Sequence, residues 1–328
     1  MVLLGCGLAT TLSGQQSLES KYRTTGTEVV AAFEAQRAVL QRSSAVMIDG
    51  RKEVGYGVVI SAQGHLLAKA SEWREWQQPA VTVDTTLYAE VRELAVAPEW
   101  DVVLLKIEAT GLVPVEYAPT SEVGQGTWVV ANGATTRTNR RLLAGIVSAN
   151  TREVPAAGGA VLGVRFKAKS KALVIEEVTE KSGAKEAGLQ KGDVLLRLAG
   201  VAVTQIQEIA EALKDRKTGS LVKITYRRGK EERTADVRLA ARSEMFSDQT
   251  NRNDMMSGDF SKRRSGFPRV LQHDILSSSK TVGGPLLDRE GRCLGMNIAR
   301  ANRAESYAIP VEDLKALAAR LMKEAAER

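Results

Sequence analysis

A mainly β fold is predicted by three features of this 328-residue chain. It holds 28 glycines against 5% aromatic residues, its valine- and isoleucine-rich runs are short, and most of those runs end at a glycine or polar turn. Helical spacing is confined to the two ends and to two brief inner segments. With 43% apolar and 26% charged residues, the length suits two or three packed domains better than one.

Residues 27–40 (TEVVAAFEAQRAVL) repeat apolar positions at helical spacing and predict a helix ahead of the first domain, with a packing or assembly role. From Ala45 the period becomes that of strands: AVMID, VGYGVVIS, a turn at Ala62-Gln63-Gly64, HLLAKAS, AVTVD, YAEVRELAVA and DVVLLKIE, a small antiparallel barrel in outline. A second series begins with TWVVANGA and RLLAGIVSAN and stops at Pro155-Ala156-Ala157-Gly158-Gly159, which reads as a linker. The grammar then changes to strand-like VLGVRF and ALVIEEV, a short AKEAGL helix, DVLLRLAG, the helix IQEIAEALKD, and VKITYRR turning at Arg228-Gly229-Lys230 into TADVRLA. Residues 243–265 are polar and predict a mobile loop. Strands resume with RVLQHDI, PLLD, CLGMNIA and SYAIP, and a closing helix from Val311 to Glu327 is amphipathic through Leu314, Leu317, Leu321 and Met322.

The formal net charge is +7, but basic and acidic residues are interleaved and no nucleic-acid reading motif accompanies them, so nucleic acid is not an expected partner. The densest basic stretches, Arg227-Arg228 with Lys230 and Lys262-Arg263-Arg264, read as solvated turn and loop. Two cysteines make no disulfide framework. The opening MVLLGCGLATTLSG resembles the apolar part of a secretory signal without its basic start, for which a start codon upstream would account, and Leu3-Leu4-Gly5-Cys6 fits a bacterial lipoprotein acceptor. The expected location is therefore extracytoplasmic, with Cys6 as the residue a lipid anchor would use. No apolar run is long enough to span a bilayer. Metal-ligand spacing, phosphate loops and nucleotide fingerprints are absent, and no cofactor is expected.

Residues 158–241 resemble a PDZ domain of the HtrA type through VLGV at 161–164, GAKEAGLQKGDVLLRLAGVAV and the IQEIAEAL helix. The resemblance implies that a ligand strand adds to an open sheet edge, with its terminal carboxylate on the backbone donors of Leu162-Gly163-Val164 and its last side chain in an apolar pocket. Leu162, Val164, Ile209 and Leu213 are the candidate walls, with core packing the competing role for Ile209 and Leu213. Glycine at 163 lets amides converge on an anion without an intervening side chain.

The flanking regions, 45–155 and 266–311, resemble the HtrA/DegP-like trypsin-fold protease domain. The resemblance rests on GYGVVISAQGHLLAKAS, APEWDVVLLKIE and VGGPLLDREGRCLGMNIA, the stretches that match those carrying the family's histidine, aspartate and serine. In this chain the matching positions are Ser71, Asp101 and Val282. Serine catalysis needs a hydroxyl, a base to take its proton and a carboxylate to hold that base, and of the three only Asp101 survives. Neither histidine, His65 or His273, falls where the base would be. Lys280, Val282 and Gly283, leading into Gly284-Pro285, are the remnant of an oxyanion loop whose amides would meet a carbonyl or carboxylate.

The resemblance thus implies a trypsin-like double β-barrel with an inserted α+β PDZ domain. The expected division is a signal-like leader (1–17), an N-terminal helical segment (18–44), a first barrel (45–120), the first part of a second barrel (121–157), the PDZ domain (158–241), a polar loop (242–265), the rest of the second barrel (266–311) and a C-terminal helix (312–328). The function implied is that of a pseudoprotease binding peptide segments or protein C-termini as scaffold, chaperone or regulator. Two alternatives stay open: an endopeptidase using Asp101 with a hydroxyl of Ser277, Ser278, Ser279 or Thr281, and a structural envelope protein anchored at Cys6. Homo-oligomerisation is left open as well.

Overall fold

The computed structural model describes residues 18–23, 26–133, 140–155, 159–168, 170, 172–180, 182–242 and 258–327. The leader and Cys6 lie outside the described residues, as do most of the linker after Pro155 and residues 243–257 of the polar loop. No helix among the described residues is long and apolar enough to cross a membrane.

Seven antiparallel strands form the first sheet, in the spatial order Thr86–Tyr88, Pro79–Val83, Ser44–Asp49, Lys52–Val59, His65–Lys69, Val102–Ile107 and Val91–Ala97. A second sheet closes into a six-stranded barrel in the order Phe267–His273, Ser306–Pro310, Cys293–Arg300, Pro285–Leu287, Trp128–Asn132 and Leu142–Val154. Between the last and first of these strands, in sequence, stands a third sheet: Val164–Phe166, Leu173–Val178, Val194–Leu198, Leu221–Arg228 and Glu231–Arg238, with Val201–Ala202 beside Val194–Leu198. The barrel is thus completed only after the chain has built another sheet, and the strands on either side of the excursion pair directly, Phe267 opposite Val154 and His273 opposite Val147.

Burial follows the alternation read from the sequence. One apolar core joins both outer sheets, with Leu67 and Leu104 from the first, Val130, Met296 and Phe267 from the second, and Leu314, Leu317 and Leu321 from the closing helix Val311–Ala326. The inner sheet has its own core of Leu173, Ile175, Leu195, Ile224 and Val237, covered by Ile209 and Leu213 of the helix Ile206–Leu213.

Several local expectations are corrected. The single helix expected over 27–40 is two, Thr27–Ala32 and Glu34–Ser43. The break is at Phe33, whose backbone leaves the helical region (φ −112°, ψ 24°) while its ring packs against Trp128 at 5.7 Å. HLLAKAS is a strand only as far as Lys69; Ala70–Trp73 turns into a short helix because the Ala70 amide donates to the Asp101 carbonyl (2.9 Å). VLGVRF breaks at Leu162-Gly163 into Ala160–Val161 and Val164–Phe166. The largest correction concerns the basic run 262–264, expected to be solvated: Arg263 is buried, as are Ser261 and Ser265 on either side.

Candidate functional site

Of the positions matched to the family's triad, Ser71 and Asp101 are brought into direct contact. Asp101 precedes Val102–Ile107 in a left-handed backbone conformation (φ 58°), one that aspartate tolerates better than most residues. Its side chain is buried and fully engaged. Lys69 Nζ donates to Oδ2 at 2.6 Å, the Ser71 hydroxyl to the same oxygen at 2.9 Å, and the Ser71 amide to Oδ1 at 2.7 Å. Both partners of the ion pair are almost inaccessible, with side chains 2% and 4% exposed. Burial pushes the Asp101 carboxyl up, but the Lys69 and Arg263 charges, with the hydrogen bonds from Lys69 and Ser71, outweigh it and hold the group below the usual carboxylate range. A carboxylate so held is a weak base, and the Ser71 hydroxyl that points at it is not activated by it.

Val282 follows the tight turn Ser279–Thr281 and lies against the strand Lys52–Val59 of the first sheet. Its side chain is buried and its carbonyl accepts from the Tyr56 amide at 3.0 Å. Gly283 has φ 96°, and a Cβ there would stand 2.1 Å from the Tyr56 carbonyl oxygen, so the position requires glycine on both counts. Its amide donates to the Asn297 carbonyl at 2.7 Å and that of Thr281 to the Ser278 carbonyl at 3.0 Å. Two of the loop's amides therefore serve the fold itself. Lys280 is exposed.

A strap from the chain's own polar loop lies across the junction of the two outer sheets. The Ser261 amide donates to the Arg300 carbonyl (3.0 Å), and the Arg300 amide returns a bond to the Ser261 hydroxyl (3.0 Å), at the end of strand Cys293–Arg300. Arg263 donates to the carbonyls of Pro98, Glu99 and Gly266, with its guanidinium 5.0 Å from the centre of the Phe267 ring. Lys69 Nζ reaches the Arg263 carbonyl at 3.3 Å, and Lys262 pairs with Glu75. Beside them burial pushes the carboxyl of Glu72 up to about 7.

The groove of the inner sheet is built differently. Val164–Phe166 is the sheet's edge strand, entered through Gly163 at φ 78°. The Gly163 carbonyl accepts from the Thr179 amide at 2.9 Å, which fixes the loop. Between this strand and the helix Ile206–Leu213 lies a cavity of about 430 Å³, walled by Leu162, Val164 and Phe166 on one side and Ile206, Ile209 and Leu213 on the other. Leu162, Ile209 and Leu213 belong at once to this wall and to the core beneath it. The helix is held at its start by a capping box between Gln205 and Glu208.

The remaining candidates do not join either site. His65 bonds Ser61 through Nδ1 at 2.7 Å, in its own turn. His273 is buried in the barrel, with Nε2 2.7 Å from the Asn297 side-chain oxygen, and burial pushes its imidazole down to about 4. Burial likewise pushes the Cys293 thiol up to about 12, which suits a small core residue and not a nucleophile. Ser277 bonds Ser306 at 2.9 Å, and Ser278 bonds Thr281. No group of histidine, cysteine and acidic residues suited to a metal is present among the described residues. Sequence reasoning missed Lys69, Glu72 and Arg263. The one available signal was a lysine inside the apolar strand HLLAKA.

A family model for the PDZ domain matches residues 160–239. Over 104 residues the chain is 32% identical to a probable periplasmic serine endoprotease, DegP-like, of Ectopseudomonas mendocina (strain ymp), a stretch covering 32% of this chain and 22% of that protein. A counterpart of the same description from Pseudomonas fulva (strain 12-X) is 29% identical over 124 residues, 37% of this chain and 26% of its own. The matches span about a quarter of the length of these relatives. Among solved structures, the chain is similar to an HtrA-type protease AlgW with decapeptide at 13% identity and a TM-score of 0.31, covering 64% of this chain and 98% of that one. It is similar as well to the serine endoprotease from Yersinia pestis at 14% identity and a TM-score of 0.33, covering 63% and 97%.

Proposed function

We propose that this chain, which is HtrA/DegP-like and carries a PDZ domain, binds extended peptide segments or protein C-termini through that domain and does not cleave them. Its trypsin-like part serves as scaffold. The observation that carries the reading is the state of Asp101: the one surviving triad carboxylate is committed to Lys69 and Ser71, with no imidazole beside it, while the nucleophile position is a buried valine. Hydrolysis through a serine needs a base able to accept its proton during attack. Here Ser71, the serine bonded to Asp101, faces a carboxylate whose proton affinity is depressed.

On this reading Leu162, Gly163 and Val164 receive the ligand's end, and Ile209 and Leu213 close its side-chain pocket. The inner sheet, expected over 158–241, is a domain inserted into the second barrel, and the periplasmic relatives support a location outside the cytoplasm. A fluorophosphonate probe and a casein-hydrolysis assay on the purified chain test the catalytic half of the reading. The expected result is neither labelling nor turnover. Labelling at Ser71, Ser277, Ser278 or Ser279 would overturn it in favour of an endopeptidase with an unfamiliar arrangement.

A further inference from the structure

Among the described residues, the charged side chains that line the PDZ cavity are of one sign. Among the described residues three cations line the cavity, Arg165 on the edge strand, Lys214 at the end of the helix and Arg242 beside the carboxylate-side loop, and no acidic residue does. Arg242 is fixed there by its own amide, which donates to the Gly159 carbonyl at 3.1 Å. The edge strand runs on into exposed Lys167, and the connection over 167–172 reads KAKSKA, without an acid. Two of these cations have an acid beside them on the exposed surface: Glu177 lies opposite Arg165 on the neighbouring strand, 3.2 Å away, and Glu211 lies 3.7 Å from Lys214. Each such pair offsets one cation, and the surplus at the edge is carried by Lys167 and the two further lysines of KAKSKA.

The direction of a bound strand follows from the loop. With its terminal carboxylate at Leu162-Gly163, a ligand leaves that loop alongside Val164, Arg165 and Phe166, antiparallel to the edge, and its residues two to five places from the end pass Arg165 and Lys167. Its last side chain meets the apolar walls of the cavity at Leu162, Val164, Ile209 and Leu213.

We propose, resting on the peptide-binding reading above, that the PDZ groove selects acidic C-terminal segments: a free carboxylate on an apolar last residue, preceded by aspartate or glutamate. Charge complementarity across an open groove acts on encounter and on discrimination between partners more than on the tightness of any one contact. The selectivity is therefore salt-dependent, since exposed charges are screened over roughly 8 Å at physiological ionic strength.

Ten-residue peptides ending in Val, Leu or Phe, each made with Asp/Glu, Asn/Gln or Lys at the second to fifth places from the end, are titrated into the full chain by fluorescence anisotropy at low and high salt. The acidic version of the best-binding ending is expected to bind about five- to tenfold tighter than the neutral one at low salt, the basic version weakest, with the spread narrowing as salt rises. In R165E/K167E the order of acidic and basic peptides is expected to reverse. Equal affinities across charge, or the basic peptide tightest, would overturn the acidic preference while leaving peptide binding intact. Failure of every ending and every charge to bind would overturn the peptide-binding reading itself, and the preference with it.

Discussion

Around Asp101 the charges answer one another inside the fold, whereas along Val164–Phe166 a sheet edge and an apolar cavity face outward. The first region contains a buried ion pair, a serine bonded to it, and a strap of the same chain laid over both. The second contains a strand with one side unpaired in its sheet and a pocket whose walls are partly exposed. Both are sites in which an extended peptide and a scaffold could meet, and they differ in what already occupies the polar groups. A protease cleft must keep its donors and its base uncommitted until substrate arrives. Here the carboxylate at the sheet junction is bonded to Lys69 and Ser71, and the Thr281 and Gly283 amides to carbonyls of the same chain; the ligand proposed above is placed in the inner groove instead.

The comparison breaks most visibly if the junction proves unimportant to stability. K69M removes the cation from a buried carboxylate, and leaving such a charge unpaired costs about 3–5 kcal/mol. Urea unfolding followed by tryptophan fluorescence reports the outer sheets alone, because Trp73, Trp76, Trp100 and Trp128 all lie outside residues 158–241. In K69M/D101N a large part of the loss should return, since asparagine is neutral and accepts the left-handed backbone of that position. A K69M protein as stable as the parent would mean that the junction is not a structural seal.

A smaller effect is expected in the groove. G163E brings a carboxylate to the place proposed for the ligand's own and puts a side chain on a residue at φ 78°, where left-handed geometry costs roughly 1–2 kcal/mol. Peptide affinity should fall at least about tenfold, or about 1.4 kcal/mol, with the tryptophan-reported stability unchanged. Parallel loss of both would tie the groove to the outer sheets and blur the contrast.

These two regions were unequally legible in the sequence. The turn glycines, the strand-like runs and the IQEIAEAL helix marked out the PDZ segment through its resemblance to that family, because its elements are contiguous over some eighty residues. The replacements at Ser71 and Val282 that the family resemblance implies could be read from the sequence, but the network around Asp101 could not. Lys69 reads as an ordinary lysine until Asp101, 32 residues on, and the Arg263 carbonyl, 194 residues on, are brought to it. Arg263 read as loop charge for the same reason: its partners, the carbonyls of Pro98 and Glu99, carry no side-chain signature. The bend at Phe33 is likewise a matter of tertiary packing, because nothing in TEVVAAFEAQRAVL interrupts a helix locally.

Titration of the outer sheets sharpens the contrast further. Glu72 is raised to about 7 in the folded chain, so between pH 4.5 and 7 the folded state holds more of its proton than the unfolded state and stability falls as pH rises. His273 is lowered to about 4, so between pH 4 and 6.5 the unfolded state holds more proton and stability rises with pH. The two oppose each other from pH 4.5 to 6.5, and the parent should be nearly level there. E72Q removes one side of the balance and should lose stability steadily on acidification through that window, as read by urea midpoints. An E72Q profile parallel to the parent's would contradict the assigned burial of Glu72.

The smallest effect expected is the gain from rebuilding the triad. In S71H/V282S the new imidazole would meet a carboxylate already bonded to Lys69, beneath the Ser261–Arg263 strap, and catalytic geometry tolerates displacements of only about 0.5 Å. Casein hydrolysis should stay at background, and efficient turnover would show that only two side chains separate this chain from a working protease.

Calorimetry decides whether the PDZ edge proposed above reads a chain terminus. The full chain is titrated with matched peptides differing only in a free or amidated C-terminus. The account predicts micromolar binding of the free acid, near −8 kcal/mol, and a loss of about 1–3 kcal/mol on amidation, the worth of a charge-assisted hydrogen bond to the Leu162-Gly163 loop. Equal affinity for acid and amide would contradict it.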